Sequence, residues 1–66
     1  MKLQHLEINP VNGKIEIDIF NQNTPMAVII SEGRAKMTVL PEHGEAKIIM
    51  HQGKVKRVRY DIGEEF

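Results

Sequence analysis

The stretch EAKIIMHQGKVKRVRY, at residues 45–60, shows most clearly which fold class this chain adopts. Two runs of alternating and β-branched residues lie on either side of His51-Gln52-Gly53, which is a turn-forming sequence. Two such runs joined by a short turn containing glycine are typical of an antiparallel β-hairpin. We therefore predict a hairpin over this stretch.

The same pattern occurs earlier in the chain. Residues 26–40 form two apolar or β-branched runs on either side of Ser31-Glu32-Gly33, which predicts a second hairpin. Residues 14–20, KIEIDIF, alternate strictly between apolar and charged side chains, which predicts a half-buried strand. The preceding Asn12-Gly13 is a strong hairpin signal and predicts that residues 3–9 pair with this strand. We expect at most one short helical turn.

These elements predict a single all-β domain over residues 1–66, an antiparallel meander or barrel-like sheet of about five to six short strands. With 66 residues and no cysteine, the chain has no disulfide or thiolate zinc site. Its three histidines lack metal-site spacing, so no metal is expected. A core this small rarely supplies more than about 3–5 kcal/mol, so we expect a homo-oligomer, a dimer or tetramer. The acidic tail ends in Phe66, which we expect to be frayed.

The longest apolar run, residues 26–30, is far shorter than the roughly 20 residues that span a bilayer. The first residues also lack the apolar core of a signal peptide. We therefore expect a soluble cytosolic protein without membrane contact.

Basic residues are concentrated in the second half of the chain. Residues 34–59 contain seven basic and two acidic side chains, a net charge of +5 within a chain of zero net charge. Along residues 54–60, a regular strand would place basic and apolar side chains on both faces. Either a bulge realigns the register, or one face meets the core and the other a neighbouring subunit.

Catalytic and cofactor motifs are not evident. Ser31 has no nucleophile signature around it, and the acid–base cluster at residues 42–45 falls in a predicted turn. No glycine-rich phosphate-binding motif occurs. We predict a protein that is not an enzyme and needs no cofactor. Zero net charge and only three aromatic residues also disfavour nucleic acid as the partner.

A compact phosphorylated ligand held at a subunit interface agrees better with this charge distribution. Arginine forks bind phosphate in a fixed orientation, lysines add charge, and an aromatic ring can stack on a base. For Lys54 and Lys56 alone, protection of an exposed strand edge is an open alternative. The predicted ligand-binding residues are Lys36, Arg57 and Arg59 for phosphates, Tyr60 for stacking, and His51 and Gln52 for a base or ribose edge.

Four segments carry a family resemblance: MKLQHLEINP at residues 1–10, SEGRAK at 31–36, PEHGE at 41–45 and HQGKVKRV at 51–58. Over most of its length the chain resembles the XtrA/YqaO-type family of very small phage and prophage proteins. This resemblance implies a phage origin and action in the cytoplasm of an infected bacterial host. In size and origin, the chain is more loosely similar to viral sponges of the anti-CBASS type, which form tetramers and sequester cyclic nucleotide signals.

The resulting hypothesis is a non-enzymatic phage anti-defence protein that binds a cyclic nucleotide, such as a cyclic dinucleotide, at a homo-oligomer interface. Two alternatives stay open. One is an interaction module that inhibits a host protein through an exposed sheet edge. The other is a small accessory protein that binds nucleic acid.

Overall fold

The computed structural model describes residues 2–63, and within them the chain is all-β, as predicted. A single 3-10 turn at Ile19–Asn21 is the only helical element of this part of the chain. Phe66 lies outside the described residues. The five strands are β1 (Gln4–Leu6), β2 (Met26–Ser31), β3 (Arg34–Val39), β4 (Glu45–His51) and β5 (Lys54–Asp61).

The first sheet contains three antiparallel strands in the order β1-β3-β2. The hairpin predicted over residues 26–40 is confirmed as β2 and β3, with Ser31 opposite Arg34. Its turn residues, Glu32 and Gly33, have φ values of 53° and 71°. Two consecutive positive φ values match the right-handed twist of the strands that the turn connects.

The second sheet consists of β4 and β5, and it confirms the hairpin predicted over residues 45–60. The register shifts after Ile49, which lies opposite Arg57, so that Met50 lies opposite Val55. Lys56 is therefore the extra residue of a β-bulge, one of the two predicted explanations for the mixed strand. Because of the bulge, the apolar and basic side chains of β5 lie on opposite faces.

The prediction for residues 14–20 is wrong. The Asn12-Gly13 turn does form, with backbone hydrogen bonds of 2.8 Å from the Asn9 amide to the Lys14 carbonyl and from the Gly13 amide to the Asn9 carbonyl. Residues 14–18 nevertheless form no strand, since β1 pairs with β3 instead. Asp18 then accepts a hydrogen bond from the amide of Phe20 at 3.1 Å and caps the 3-10 turn.

The two sheets form a thin molecule and, over residues 2–63, no closed barrel. The chain measures 51 × 35 × 12 Å, and its radius of gyration is 13.7 Å. A compact domain of this length would have a radius of about 11 Å. In the described part of the chain only Ala35 and Thr38 are buried. The fold therefore has a very small core of its own.

Three polar contacts connect the sheets within residues 2–63. The hydroxyl groups of Thr38 and Tyr60 share a hydrogen bond. The amide of Val55 donates to the hydroxyl oxygen of Ser31 at 3.2 Å. An ion pair of 3.6 Å joins Lys54 to Glu32. The last two contacts place the start of β5 beside the β2–β3 turn, and the first joins the end of β5 to the end of β3.

Candidate anion-binding groove

A groove of about 230 Å³ lies between the first sheet and the first half of β5. Four basic side chains line it, two from each sheet; they are Arg34 and Lys36 of β3, and Lys56 and Arg57 of β5. We call this site the cationic groove. Its other lining residues are Leu3, Ile29, Ser31, Val55 and Val58.

The strand geometry explains why these basic residues meet. Arg34 and Lys36 are two positions apart on β3, so they lie on the same face of the first sheet. On β5, the bulge at Lys56 places this residue and Arg57 next to each other opposite Ile49. The hydrogen bond between Val55 and Ser31 then holds this part of β5 against the first sheet.

Most of the positive charge in the groove has no counter-charge nearby. Arg34 forms an ion pair with Glu32 at 3.4 Å, and Glu32 also contacts Lys54. Among residues 2–63, no carboxylate lies within ion-pair distance of Lys36, Lys56 or Arg57. Unpaired cations from two sheets beside apolar side chains make the groove a candidate site for a small anion.

The structure brings two of the six predicted ligand-binding residues into the groove, Lys36 and Arg57. His51 and Gln52 lie at the β4–β5 turn, and Gln52 has a positive φ of 52°. Arg59 is exposed opposite Lys47 on β4. None of these three lines the groove, and their roles as ligand contacts stay predictions.

Tyr60 also lies outside the lining of the groove. It is half-buried, and its hydroxyl group is hydrogen-bonded to Thr38. In this position Tyr60 connects the two sheets. Its predicted stacking on a base stays a prediction.

Arg34 and Lys56 line the groove but are missing from the predicted set of ligand-binding residues. Arg34 could have been predicted from the sequence. The Glu32-Gly33 turn places it at the start of β3, two positions before Lys36 and on the same face. Lys56 could be found only by locating the bulge, because in a regular strand it would lie on the other face from Arg57.

A second charged cluster, at the far end of the β4–β5 sheet, pairs one lysine with two carboxylates. Lys47 contacts Asp61 at 2.9 Å and Glu45 at 3.5 Å. The hydrogen bond from Lys47 and its charge lower the pKa of Asp61, and Asp61 and Glu45 raise the pKa of Lys47. These contacts offset the placement of Lys47 directly opposite Arg59.

The lowered pKa of Asp61 predicts a specific acid dependence. The contact between Lys47 and Asp61 contributes to stability above the ordinary carboxyl pKa. This contribution is lost as the pH falls below about 4, because the unfolded chain then binds more protons than the folded chain. We expect the difference in stability between pH 6 and pH 3, measured by urea unfolding, to be smaller in Asp61→Asn than in the wild type. An identical pH profile for Asp61→Asn and the wild type would contradict the assignment.

Comparison with known proteins places the chain in a family. A family model described as phage-like element PBSX protein XtrA matches residues 1–66. The chain belongs to this family. The predicted resemblance to XtrA-type phage proteins is thereby confirmed, while its looser part, to anti-CBASS sponges, stays a prediction. Searches of the curated proteins and of the solved structures found no match for this XtrA-family chain.

Two further findings concern the described residues of this XtrA-family protein. No group of three or more histidine, cysteine, aspartate or glutamate side chains in residues 2–63 is arranged to hold a metal ion. No helix in the same range is long and apolar enough to cross a membrane.

Proposed function

We propose that this phage-element protein is a non-enzymatic binder that captures a small phosphorylated ligand of the cyclic-nucleotide class in the cationic groove. Capture would withhold the ligand from a host defence effector in the cytoplasm of the infected bacterium. The observation that carries this proposal is the convergence of four basic side chains from two sheets on one groove.

The groove offers the chemical groups that such a ligand requires. Arg34 and Arg57 carry planar guanidinium groups that can bind a phosphate through two parallel hydrogen bonds. Lys36 and Lys56 add charge without restricting orientation. Ser31 already accepts a bond from Val55, but its own proton is available to a ligand oxygen.

The size of the groove favours part of a nucleotide over a long polymer. Pockets for drug-sized ligands occupy roughly 300–1,000 Å³, and the groove encloses about 230 Å³. One protomer could therefore hold a phosphorylated moiety with part of its sugar or base against Ile29, Val55 and Val58. A polymer binder would instead need a continuous basic track and several stacking rings.

The neighbouring arginines Arg57 and Arg59 give a matched test of this site. Both are exposed residues of β5, but only Arg57 lines the groove. We expect Arg57→Gln to weaken binding of a cyclic nucleotide at least about tenfold, since hydrogen bonding to a charged group contributes about 1.5–3 kcal/mol. Since Arg59 lies outside the groove, Arg59→Gln should keep the wild-type affinity if the ligand is held in the groove, and the predicted contact of Arg59 would then be wrong. Isothermal titration calorimetry at low salt measures both.

The ligand itself is identified by a thermal-shift panel of cyclic dinucleotides, cyclic trinucleotides and cyclic ADP-ribose isomers, beside short DNA and RNA. Stabilisation by one cyclic nucleotide and not by nucleic acid supports the proposal, since ligand at 100 times its Kd adds about 2.7 kcal/mol. No stabilisation across the panel would overturn it and favour the interaction module. Equal losses of affinity in Arg57→Gln and Arg59→Gln would overturn the placement of the site.

A further inference from the structure

One strand edge of the second sheet is unpaired. Strand β4 pairs with β5 on one side, and no strand of residues 2–63 pairs with its other side. The opposite edge of the sheet, on β5, is partly occupied because Val55 bonds to Ser31 and the cationic groove runs beside it. An unpaired seven-residue strand carries a row of free backbone groups that favours pairing with another strand.

The sequence of β4 is complementary to itself when two copies run antiparallel. With Ile48 on a two-fold axis, Ile48 faces Ile48 of the partner subunit, and Ala46 faces Met50 of the partner subunit, a small residue against a large one. Glu45 then faces His51 of the partner subunit, whose ring N–H can donate a hydrogen bond to the carboxylate, and Lys47 faces Ile49 of the partner subunit. These pairs agree with the alternation of side chains along β4. Ala46, Ile48 and Met50 lie on one face of the strand, and Glu45 and His51 lie on the other.

The neighbouring registers are less favourable. An axis at Lys47 would place the two Lys47 ammonium groups directly opposite each other, and like charges in that position are destabilising. An axis at Ile49 would place Lys47 opposite His51 of the partner subunit and leave Glu45 beyond the paired region. The charge pattern of β4 therefore selects Ile48 as the centre.

The exposed area of a single chain is consistent with a partner of this kind. The chain exposes 5810 Å². A compact protein of 7.6 kDa would expose about 4,300 Å². This chain therefore exposes about 1,500 Å² more than a compact protein of its mass. A stable interface buries about 800 Å² on each partner. Ile48 and Met50, at the centre of the proposed contact, are 49% and 55% exposed.

We propose that two copies of the chain form a two-fold dimer by antiparallel pairing of β4 with β4 around Ile48. The result is a continuous four-stranded sheet, in the order β5-β4-β4-β5, with a cationic groove beside each outer strand. This arrangement does not depend on the ligand, so the dimer and the proposed function can fail separately.

Cysteine cross-linking tests the register directly, because the chain contains no cysteine of its own. Across the axis, paired side chains have Cβ atoms about 4.5–5.5 Å apart, close enough for a disulfide after small adjustments. We expect Ile48→Cys to form a cross-linked dimer under mild oxidation. Ile30→Cys is the matched control, since Ile30 is 68% exposed on β2 but lies away from the axis. It should stay at least tenfold less cross-linked.

Light scattering of the unmodified chain without nucleotide supplies the second measurement. We expect twice the mass of the 7.6 kDa chain at micromolar concentration. Ile48→Lys should shift the mass to that of one chain, whereas Ile30→Lys should leave the dimer intact. A single-chain mass for the wild type at 100 µM would overturn the proposal. Equal cross-linking of Ile48→Cys and Ile30→Cys would overturn the interface.

Discussion

Gly44→Ala is expected to lower the free energy of unfolding by about 2–4 kcal/mol, which exceeds most single substitutions. Gly44 has a φ of 117°, a conformation that residues with a side chain rarely adopt. An added Cβ would also overlap the backbone oxygen of Asp61 and lie 2.9 Å from the Cα of Ile62. Both neighbouring atoms are backbone, so neither can rotate away.

The consequence for folding should be severe because the chain has little stability to lose. A core of this size contributes about 3–5 kcal/mol. We therefore expect Gly44→Ala to be largely unfolded at 37 °C by circular dichroism, with a lower urea midpoint at 10 °C.

Two other glycines separate the causes of this effect. Gly63→Ala adds a methyl group in open space at an ordinary φ and should be nearly neutral. Gly13→Ala meets no atom within 4 Å but has a φ of 71°, so it should show only the conformational cost, about 1 kcal/mol. Equal stability of the Gly44 and Gly63 variants would show that β4 does not begin against the end of β5.

The hairpins could be predicted because their signals are local. In each of β2–β3 and β4–β5, a glycine follows one polar residue between two strand-like runs, and this spacing leaves space for a two-residue turn. That Glu32 and Gln52 would also adopt positive φ does not follow from their residue types. It follows from the twist of the strands that they join.

The strand predicted at residues 14–20 failed for a reason that lies outside that segment. Its alternation is partly reproduced in burial, since Ile15 and Ile17 are half-buried. A strand, however, also needs a partner edge. The backbone of β1 pairs with β3, with His5 opposite Lys36, and this long-range pairing cannot be derived from the local pattern.

The candidate site shows the same division between local and long-range information. The chemistry of the side chains alone selects Lys36 and Arg57 as phosphate-binding candidates, and in the structure both line the groove. The approach of β5 to the first sheet depends on contacts across more than twenty residues, such as Ser31 with Val55. Without that approach, the sequence offers no reason to prefer Arg57 over Arg59.

Tyr60→Ala is expected to lower the free energy of unfolding by about 2–3 kcal/mol, because the substitution removes a half-buried aromatic ring. Tyr60→Phe should cost only about 1 kcal/mol, the net contribution of one hydrogen bond to Thr38. Thr38 is 2% exposed and also donates to the carbonyl of Val39 at 3.3 Å, so in the shared bond Tyr60 acts as the donor.

A double-mutant cycle isolates this contact. Thr38→Val removes both the bond shared with Tyr60 and the bond to the Val39 carbonyl. If Tyr60→Phe removes that same shared bond, the double variant should lose no more stability than Thr38→Val alone. Additive losses in urea unfolding would show that the two hydroxyl groups stabilise the fold independently.

Nucleotide titration of the same variants separates a structural role of Tyr60 from the predicted stacking. Stacking on a base contributes about 1–3 kcal/mol of binding free energy and needs the ring but not its hydroxyl group. Because Tyr60 does not line the groove, we expect Tyr60→Phe and Tyr60→Leu, measured where both are folded, to bind cyclic nucleotide like the wild type. Loss of affinity in Tyr60→Leu with retention in Tyr60→Phe would instead place the ring against the ligand, which would then have to extend beyond the groove along β5.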